Sequence, residues 1–493
     1  MRKEIILVLI VVLLATTSTL VMQVRAPAVL VVDPLIPPYT DIQLAINAAN
    51  PGDTILVNPG VYTERGPFPI GWGPGDKWAP PVIVYKNGLT IKSTAGPGST
   101  FITCNLSFWL NPMAIQFSTG GAILPGFGTA PSAVIIAAND VTIDGFTIAS
   151  YYVGDHGQTW HPNTGGIFIG GLYAGDLTYE GVGRATIMNN DISGWAGIYD
   201  WKSPDNTIKD NTITTRNTNA TDPTWSNVPP GSGIGIWDGW NQGNPAISTK
   251  GTVITGNTIV GIPITNQGFS NKGIDIGGMP AADRSATIGP CNTIKNWCLG
   301  ISIWNSGGTF TIQYMIVEGN TMYGLVDSAS SVADARYVYW GDPSGPYHPT
   351  LNPTGLGNQV SDNVNFIPWK HIESCNPEYY LTVNTDPSGA ATIGGEGWYD
   401  AGSTATLTAP TFGTGSYRFY SWDVDGAMQG TTNPIDVLMN SDHTATAHYS
   451  DSAVGGEWAP INTVQLVSPW IVLALFAIAS AAATSHRLLK KRL

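Results

Sequence analysis

The sequence predicts an all-β chain whose main part is a solenoid of stacked parallel β-coils. Three observations carry this prediction. Short runs of alternating aliphatic residues recur, asparagine and glycine interrupt them at regular positions, and charged residues make up only 12% of the 493 residues. A period of two is typical of strands with one buried face. Such units cannot bury that face alone, so they must stack on one another.

Both ends of the chain carry predicted targeting segments. Residues 1–28 combine a basic start, an apolar run and the small residues Ala26 and Ala28, which indicates a secretory signal peptide; an uncleaved anchor is the alternative. Residues 464–484 are almost entirely apolar, which predicts a transmembrane helix, and a buried core helix is the alternative. The basic tail at 485–493 would lie in the cytoplasm. We therefore expect a single-pass cell-surface protein with an extracellular N-terminal portion.

Two short patterns take turns along the middle of the chain. In the first, asparagine lies between two aliphatic residues, where it suits a tight turn and can form a hydrogen-bonded ladder when copies stack. In the second, glycine and isoleucine begin an alternating run. The asparagine copies are Ile187–Asn190–Ile192, Ile208–Asn211–Ile213, Ile254–Asn257–Ile259 and Val317–Asn320–Met322, with a half-copy at Asn292 and a degenerate copy at Phe146. The glycine copies begin at Gly166, Gly197, Gly233, Gly273 and Gly300.

The chain resembles the right-handed parallel β-helix proteins of the pectin-lyase-like superfamily, including their carbohydrate-binding and sugar-hydrolase group. Residues 41–64 are similar to the family's capping helix and first strand, and residues 339–369 are similar to its closing segment. The resemblance implies a right-handed parallel β-helix over residues 29–376. It implies much less about chemistry, because one fold hosts many functions.

The composition changes after the β-helix region. Residues 377–450 resemble the divergent internalin-type β repeat of prokaryotic surface proteins, which implies a small all-β module, and residues 451–463 are predicted to be a stalk. The predicted fold class is therefore all-β: a right-handed parallel β-helix, a small all-β repeat domain and a C-terminal transmembrane helix.

Aromatic residues are predicted to line one outer face of the solenoid. If each isoleucine after glycine points inward, alternation places Tyr199 and Asp275 in one outward column, and Trp201, Trp237 and Trp304 in the next. Flat aromatic rings with a polar group suit stacking on sugar rings, so the four aromatic residues are predicted to bind substrate. The alternative is that long loops fold over these rings and bury them.

The sequence offers three aspartates as catalytic candidates: Asp200, Asp238 and Asp275. Asp238 and Asp275 would lie on nearby coils, where they could form a carboxylate pair; the alternative is that all three are turn-forming or solvated residues. Related lyases use clustered acids with Ca²⁺, and related hydrolases use paired acids across a sugar bond, but neither pattern is present here. No metal site is predicted, since His156 and His161 lack a third ligand. The resemblance leaves Ca²⁺ as a possible cofactor.

The four cysteines would all lie outside the membrane, where disulfides are allowed. Cys291 and Cys298 are predicted to pair across a single coil, provided that residues 296–297 form a turn that brings them together. Buried thiols are the alternative. Cys104 would then pair with Cys375 and join the two ends of the main domain.

The predicted partner is a polysaccharide or surface glycan. The net charge of −13 disfavours nucleic acid, because phosphate binding depends on basic patches. The leading hypothesis is a membrane-anchored protein that binds, or also processes, such a glycan. The alternatives are a non-enzymatic structural or adhesion protein of the envelope and a polysaccharide lyase or glycoside hydrolase. Asn105 and Asn219 lie in glycosylation sequons.

Overall fold

A computed structural model describes most of the chain. It covers residues 25–63, 82–105, 133–151, 165–170, 182–194, 196–215, 231–237, 249–261, 271–277, 284–304, 307–328, 331–451 and 463–489. Outside these ranges lie residues 1–24 of the predicted signal peptide, almost all of the predicted stalk, and Asp238, His156, His161 and Asn219, while Cys104 and Asn105 are described only in their backbone. The chain divides into two compact units, Met1–Glu378 and Tyr379–Leu493.

The first unit is a parallel β-helix, in which the chain passes in turn through three parallel sheets. Strands are numbered along the chain. The first sheet contains β1 Val29–Val32, β2 Thr54–Val57, β5 Thr90–Ser93, β8 Thr142–Asp144, β11 Thr186–Met188, β14 Thr207–Lys209, β17 Thr252–Thr255, β20 Ser285–Ile288, β23 Thr309–Ile312, β26 Ala333–Asp334 and β28 Val364–Asn365. The second sheet contains β3 Gly60–Tyr62, β6 Thr100–Asn105, β9 Thr147–Tyr151, β12 Asp191–Gly194, β15 Thr212–Thr215, β18 Thr258–Val260, β21 Thr293–Lys295, β24 Met315–Glu318 and β27 Val338–Tyr339. The third sheet contains β4 Val82–Val84, β7 Val134–Ile136, β10 Gly165–Ile169, β13 Ala196–Trp201, β16 Ile234–Trp237, β19 Lys272–Gly277, β22 Leu299–Ile303 and β25 Tyr323–Asp327.

Columns of aliphatic side chains fill the interior of this β-helix. In the first sheet, Ile143, Ile187, Ile208 and Ile254 pair in register from coil to coil, and all four are fully buried. Helix α1 (Ile42–Ala48) buries Ile42 beside the first coil. The alternation in the sequence thus predicts the inward face correctly.

A ladder of asparagine side chains joins successive coils at the corner between the first and second sheets. The backbone N–H and the Nδ2 of Asn190 both donate to Oδ1 of Asn211, each at 3.0 Å. Asn211 donates in the same way to Asn257, and Asn257 to Asn292. These side chains are buried, and the ladder satisfies backbone groups that the corner would otherwise leave without partners. The predicted ladder is confirmed here.

The copy at Asn320 does not belong to this ladder. Val317 pairs with Ile294 in the second sheet, so Asn320 lies at the next corner, between the second and third sheets. There Asn320 donates to Asn358. At the first corner of that coil, the fully buried Met315 occupies the position in register with Asn292. The repeat therefore shifts from one corner to the other near its end.

Steric crowding explains why glycine precedes isoleucine in the second pattern. A Cβ added to Gly233 would lie 2.7 Å from the carbonyl oxygen of Gly273 in the next coil and 2.6 Å from Cγ2 of Ile259. An added Cβ at Gly273 would meet Gly300 and Ile294 in the same way. The inward isoleucines of the second sheet already occupy this space, so the corner excludes any side chain.

The disulfide joins Cys291 to Cys375, which are 84 residues apart. The predicted Cys291–Cys298 and Cys104–Cys375 pairs are therefore wrong. Cys291 and Asn296 each have a positive φ, of 64° and 65°, and each lies at a bend beside β21. The two bends turn the chain in the same direction, from the first sheet to the second and then to the third, so the chain does not fold back as a hairpin. Cys291 consequently faces outward, whereas the Cys298 thiol is buried and burial raises its pKa.

The second unit contains a five-stranded mixed sheet and a two-stranded antiparallel sheet around a separate core. The five-stranded sheet has the order β30 Gly397–Asp400, β29 Glu378–Asp386, β35 His443–Asp451, β32 Tyr417–Val424 and β33 Ala427–Gly430. The antiparallel pair is β31 Thr404–Leu407 with β34 Ile435–Leu438. Trp422 and Leu381 are fully buried at the centre.

Helix α2 (Thr463–Leu489) follows in the sequence. Among the residues that the structure describes, no helix meets the length and apolarity that a membrane span requires. The transmembrane helix predicted at 464–484 is therefore not supported.

Candidate functional site

The outer face of the third sheet brings together most of the residues that the sequence singled out. Tyr199 pairs with Gly235 and Gly235 with Asp275, which confirms the first predicted column. The second column is confirmed by the pairing of Trp201 with Trp237 and by the position of Trp304 next to it. These pairings give the positions of the side chains, and their roles in binding stay predictions.

Two glycines create the space in which aromatic rings lie flat on the sheet. A Cβ at Gly235 would be 2.7 Å from the Tyr199 ring, so that ring covers the backbone of the next coil. A Cβ at Gly277 would be 2.5 Å from Nε1 of Trp304, so the indole covers the backbone of the preceding coil. The two rings therefore approach each other along the helix axis.

Trp237 fills the space between these rings. Its centroid lies 5.3 Å from that of Trp304 at an interplanar angle of 80°, a favourable edge-to-face arrangement. Trp201 extends the aromatic surface along the same column. Tyr199, Trp201, Trp237 and Trp304 are all half-buried. The sequence allowed either an exposed row of aromatic rings or a buried one. The observed row is intermediate between these two alternatives.

The Asp275 carboxylate is the polar centre of the cluster. Its Oδ1 accepts a hydrogen bond from Nε1 of Trp304 at 2.9 Å and lies 2.8 Å from Nζ of Lys272. Nζ of Lys272 also lies 5.5 Å from the centroid of a Trp304 ring, within the range of a cation–π contact. The two charges and the indole thus fix one another in place.

Electrostatics in this cluster follow from burial. Burial raises the pKa of Asp275, although the positive charge of Lys272 and hydrogen bonds from Lys272, Trp304 and Ser302 act in the opposite direction. Burial and the nearby Asp275 carboxylate also raise the pKa of Tyr199. The phenol therefore stays protonated at neutral pH and can donate a hydrogen bond.

Asp200 does not belong to the site. It pairs with Ile236 and Ile169, which places it in the inward column of the third sheet, where it is fully buried. Its Oδ2 accepts a hydrogen bond from Thr252 at 3.0 Å. Because Asp200 and Asp275 lie on opposite faces of the sheet, they cannot act as a carboxylate pair. Asp238 lies outside the described residues, so its predicted pairing with Asp275 stays a prediction.

The sequence analysis missed Lys272, which begins β19 and provides the charge beside Asp275. The available signal was the spacing Lys-Gly-Ile-Asp, which places Lys272 and Asp275 three residues apart around a glycine that the corner requires. Within the described ranges, no group of three or more His, Cys, Asp or Glu residues could hold a metal ion.

Comparisons with known proteins concern each unit separately. Residues 379–453 match the family model of the divergent InlB B-repeat domain. A comparison of the sequence with curated proteins finds no match. The parallel β-helix and this repeat together are the combination that the sequence predicts.

Several solved structures are similar to this chain. Pectate lyase Pel9A is 13% identical, with 71% of this chain and 79% of that chain covered and a TM-score of 0.41. Pectin methylesterase PemA from Erwinia chrysanthemi is 11% identical, with 64% and 81% covered and a TM-score of 0.28. The Dettilon tailspike protein is 10% identical, with 84% and 92% covered and a TM-score of 0.28.

Proposed function

We propose that the protein binds a polysaccharide or surface glycan on the outer face of the third sheet. The observation that carries this proposal is the cluster of Tyr199, Trp237 and Trp304 around the Asp275–Lys272 ion pair. Aromatic rings present an apolar face to a sugar ring, the Tyr199 phenol can bond its hydroxyl groups, and the buried Asp275–Lys272 pair holds Trp304 in place. Few precisely placed polar groups within an aromatic surface are typical of ligand sites.

Binding is favoured over cleavage. Most glycoside hydrolases cleave a sugar bond with two carboxyl groups that flank it. On the outer face of the third sheet, as far as the structure describes it, Asp275 is held by Lys272 and Trp304, and Asp200 points into the core. The site therefore resembles a recognition surface more than an acid–base centre.

An extracellular location is part of this proposal. The Cys291–Cys375 disulfide supports it, because such bonds persist mainly in oxidising compartments. Attachment at the cell surface would place the site near envelope or environmental polysaccharides.

A binding assay with the purified full-length chain tests the proposal. Immobilised neutral and acidic polysaccharides should retain the wild type, and Trp237→Ala and Trp304→Ala should each weaken binding about tenfold, equivalent to about 1.4 kcal/mol. Tyr347→Ala is the matched control, since this aromatic residue of the same unit is 39% exposed and lies in the closing segment. Retention that is equal in all four proteins would contradict the proposal.

A structural role is the second candidate, and one observation favours it. Asp275 is buried and bonds to Lys272 and Trp304 of its own sheet, as expected for a cluster that only rigidifies the wall. In that case Trp304→Ala would lower the melting temperature, and no glycan would be retained by the wild type.

A further inference from the structure

The second unit carries an aromatic pair that the β-helix site does not involve. Tyr380 on β29 and Trp398 on β30 have ring centroids 5.1 Å apart at 69°. The Trp398 residue is 37% exposed, although it lies on an edge strand of a small sheet. An indole paired with a phenol at a sheet edge presents an apolar face together with polar groups, which a ligand can contact.

The pair lies on the outer face of the five-stranded sheet. Leu381 is fully buried, and Tyr379 and Tyr399 pack against the core, so alternation directs Tyr380 and Trp398 outward. The two rings therefore stand together on the solvent side.

Glu396 holds this pair in a fixed orientation. The Tyr380 hydroxyl donates to Oε1 of Glu396 at 3.2 Å, and the backbone N–H of Val383 donates to Oε2 at 3.1 Å. A second carboxylate, that of Asp442, accepts the backbone N–H of Tyr380 at 2.8 Å. Burial, the charge of Glu396 and the hydrogen bond that the phenol donates to Glu396 raise the pKa of Tyr380. The ring is thus oriented before any ligand arrives, which reduces the entropy cost of binding.

Hydroxyl and amide groups continue the same face. Thr382 and Asn384 follow Tyr380 outward on β29, and they pair in register with Thr444 and Thr446 on β35. The surface thus combines one aromatic corner with a row of neutral hydrogen-bonding groups. This combination complements the apolar face and the ring of hydroxyl groups of a sugar.

We infer that the repeat module is a second carbohydrate-binding site, specific for neutral sugars. The specificity follows from charge: Glu396 lies beside the aromatic pair, and the whole chain carries a net charge of −13, so an anionic sugar would be repelled. This inference goes beyond the proposed function, because it places a ligand on a different unit.

Calorimetric titration of the full-length chain tests this inference. The probes are cellohexaose, laminarihexaose, maltohexaose, mannohexaose and xylohexaose, with hexagalacturonate as the charged probe. We expect Trp398→Ala to weaken binding of at least one neutral hexasaccharide about tenfold while it leaves any hexagalacturonate binding unchanged. Tyr420→Ala is the matched control, because this residue is 59% exposed on the same sheet but two strands away from the pair.

Two further variants separate the possible outcomes. Tyr380→Phe keeps the ring but removes the bond to Glu396, so it should weaken the same binding by a few-fold while the module stays folded. If Trp398→Ala and Tyr380→Phe bind as the wild type does, or if no neutral probe binds, the inference is overturned. Trp237→Ala should leave binding at the module intact. Loss of all binding in Trp237→Ala alone would support only the β-helix site, and loss in Trp398→Ala alone would support only the module.

Discussion

The two units form their cores in opposite ways. In the β-helix, the side chain of Ile208 belongs to a column that continues through both neighbouring coils, and Asn257 bonds to the coils on either side. In the repeat module, residues 379–451, Trp422 is buried in a core formed by one five-stranded sheet and one two-stranded sheet. A change in the β-helix therefore acts through several coils, whereas a change in the module stays within a unit that closes on itself.

Removal of the disulfide should have the largest effect and should act on the β-helix alone. Cys375→Ser opens a loop of 84 residues, for which loop closure predicts a loss of about 4 kcal/mol in the free energy of unfolding. Denaturant unfolding, followed separately for the two units, measures the loss. Cys298→Ala is the control, because Cys298 is outside the disulfide, and peptide mapping without reduction should recover Cys291 linked to Cys375. A map with another pairing would contradict the structure.

A methyl group at the glycine corner should cost nearly as much. Gly233→Ala places Cβ against the backbone of the next coil and against Ile259, so the unfolding free energy should fall by about 3 kcal/mol. In the module, a Cβ at Gly394 meets nothing within 4 Å, and Gly394→Ala should be nearly neutral. Equal stability losses in the two variants would contradict the steric exclusion at the glycine corner.

Two asparagine variants compare the stability contributed by the ladder of the β-helix with that of one asparagine in the module. Asn257→Ala removes bonds to the two neighbouring coils and leaves buried donors without partners, so we expect a loss of about 2–3 kcal/mol. Asn433 of the module bonds both backbone groups of Ala409, and Asn433→Ala should cost about 1–2 kcal/mol. Chemical denaturation of both variants gives the two values. A larger loss in the module would count against cooperation along the ladder.

Two carboxyl groups should give small pH effects of opposite sign. The pKa of Asp275 is raised by burial, so its contribution to stability is complete below about pH 3.9 and is lost as the pH rises through the raised value. The pKa of Asp425 is lowered by hydrogen bonds from Thr444 and His443, so its contribution is present above about pH 3.9 and is lost as the pH falls.

Melting curves between pH 2.5 and 7 measure both effects. We expect the stability of the wild type relative to Asp275→Asn to fall with rising pH, and its stability relative to Asp425→Asn to rise. If both stability differences changed with pH in the same direction, the described surroundings of Asp275 or Asp425 would be wrong.

The sequence predicted correctly those structural features that repeat from coil to coil. The same alternation that buries Ile198 places Tyr199 and Trp201 outside, and it already places Asp200 inside, so the candidate role of Asp200 conflicted with its own pattern. The repeated asparagines predicted the ladder correctly for Asn190 to Asn292. The copy at Asn320 was predicted at the same corner, but it lies at the next one. Periodicity thus predicted faces and columns, but not the point at which the pattern shifts.

The features that the sequence did not predict depend on segments without a repeat. Cys375 lies after the last coil, and no period relates it to Cys291. The half-buried state of the aromatic residues does not follow from the strand pattern, which gives only the face on which each residue lies. Lys272 was missed for another reason. Its charge becomes part of the site only because the fold places Asp275 and Trp304 beside it.

The disulfide also determines how the molecule would carry a mechanical load. The repeat module begins after Glu378, three residues beyond Cys375. Tension applied between the module and the early coils would pass from Cys375 through the sulfur–sulfur bond to Cys291. Strands β21 to β28 lie between these cysteines in the sequence, so they would bear none of that force. Under load, the coils before Cys291 would open first, and the closing segment of the β-helix would remain folded.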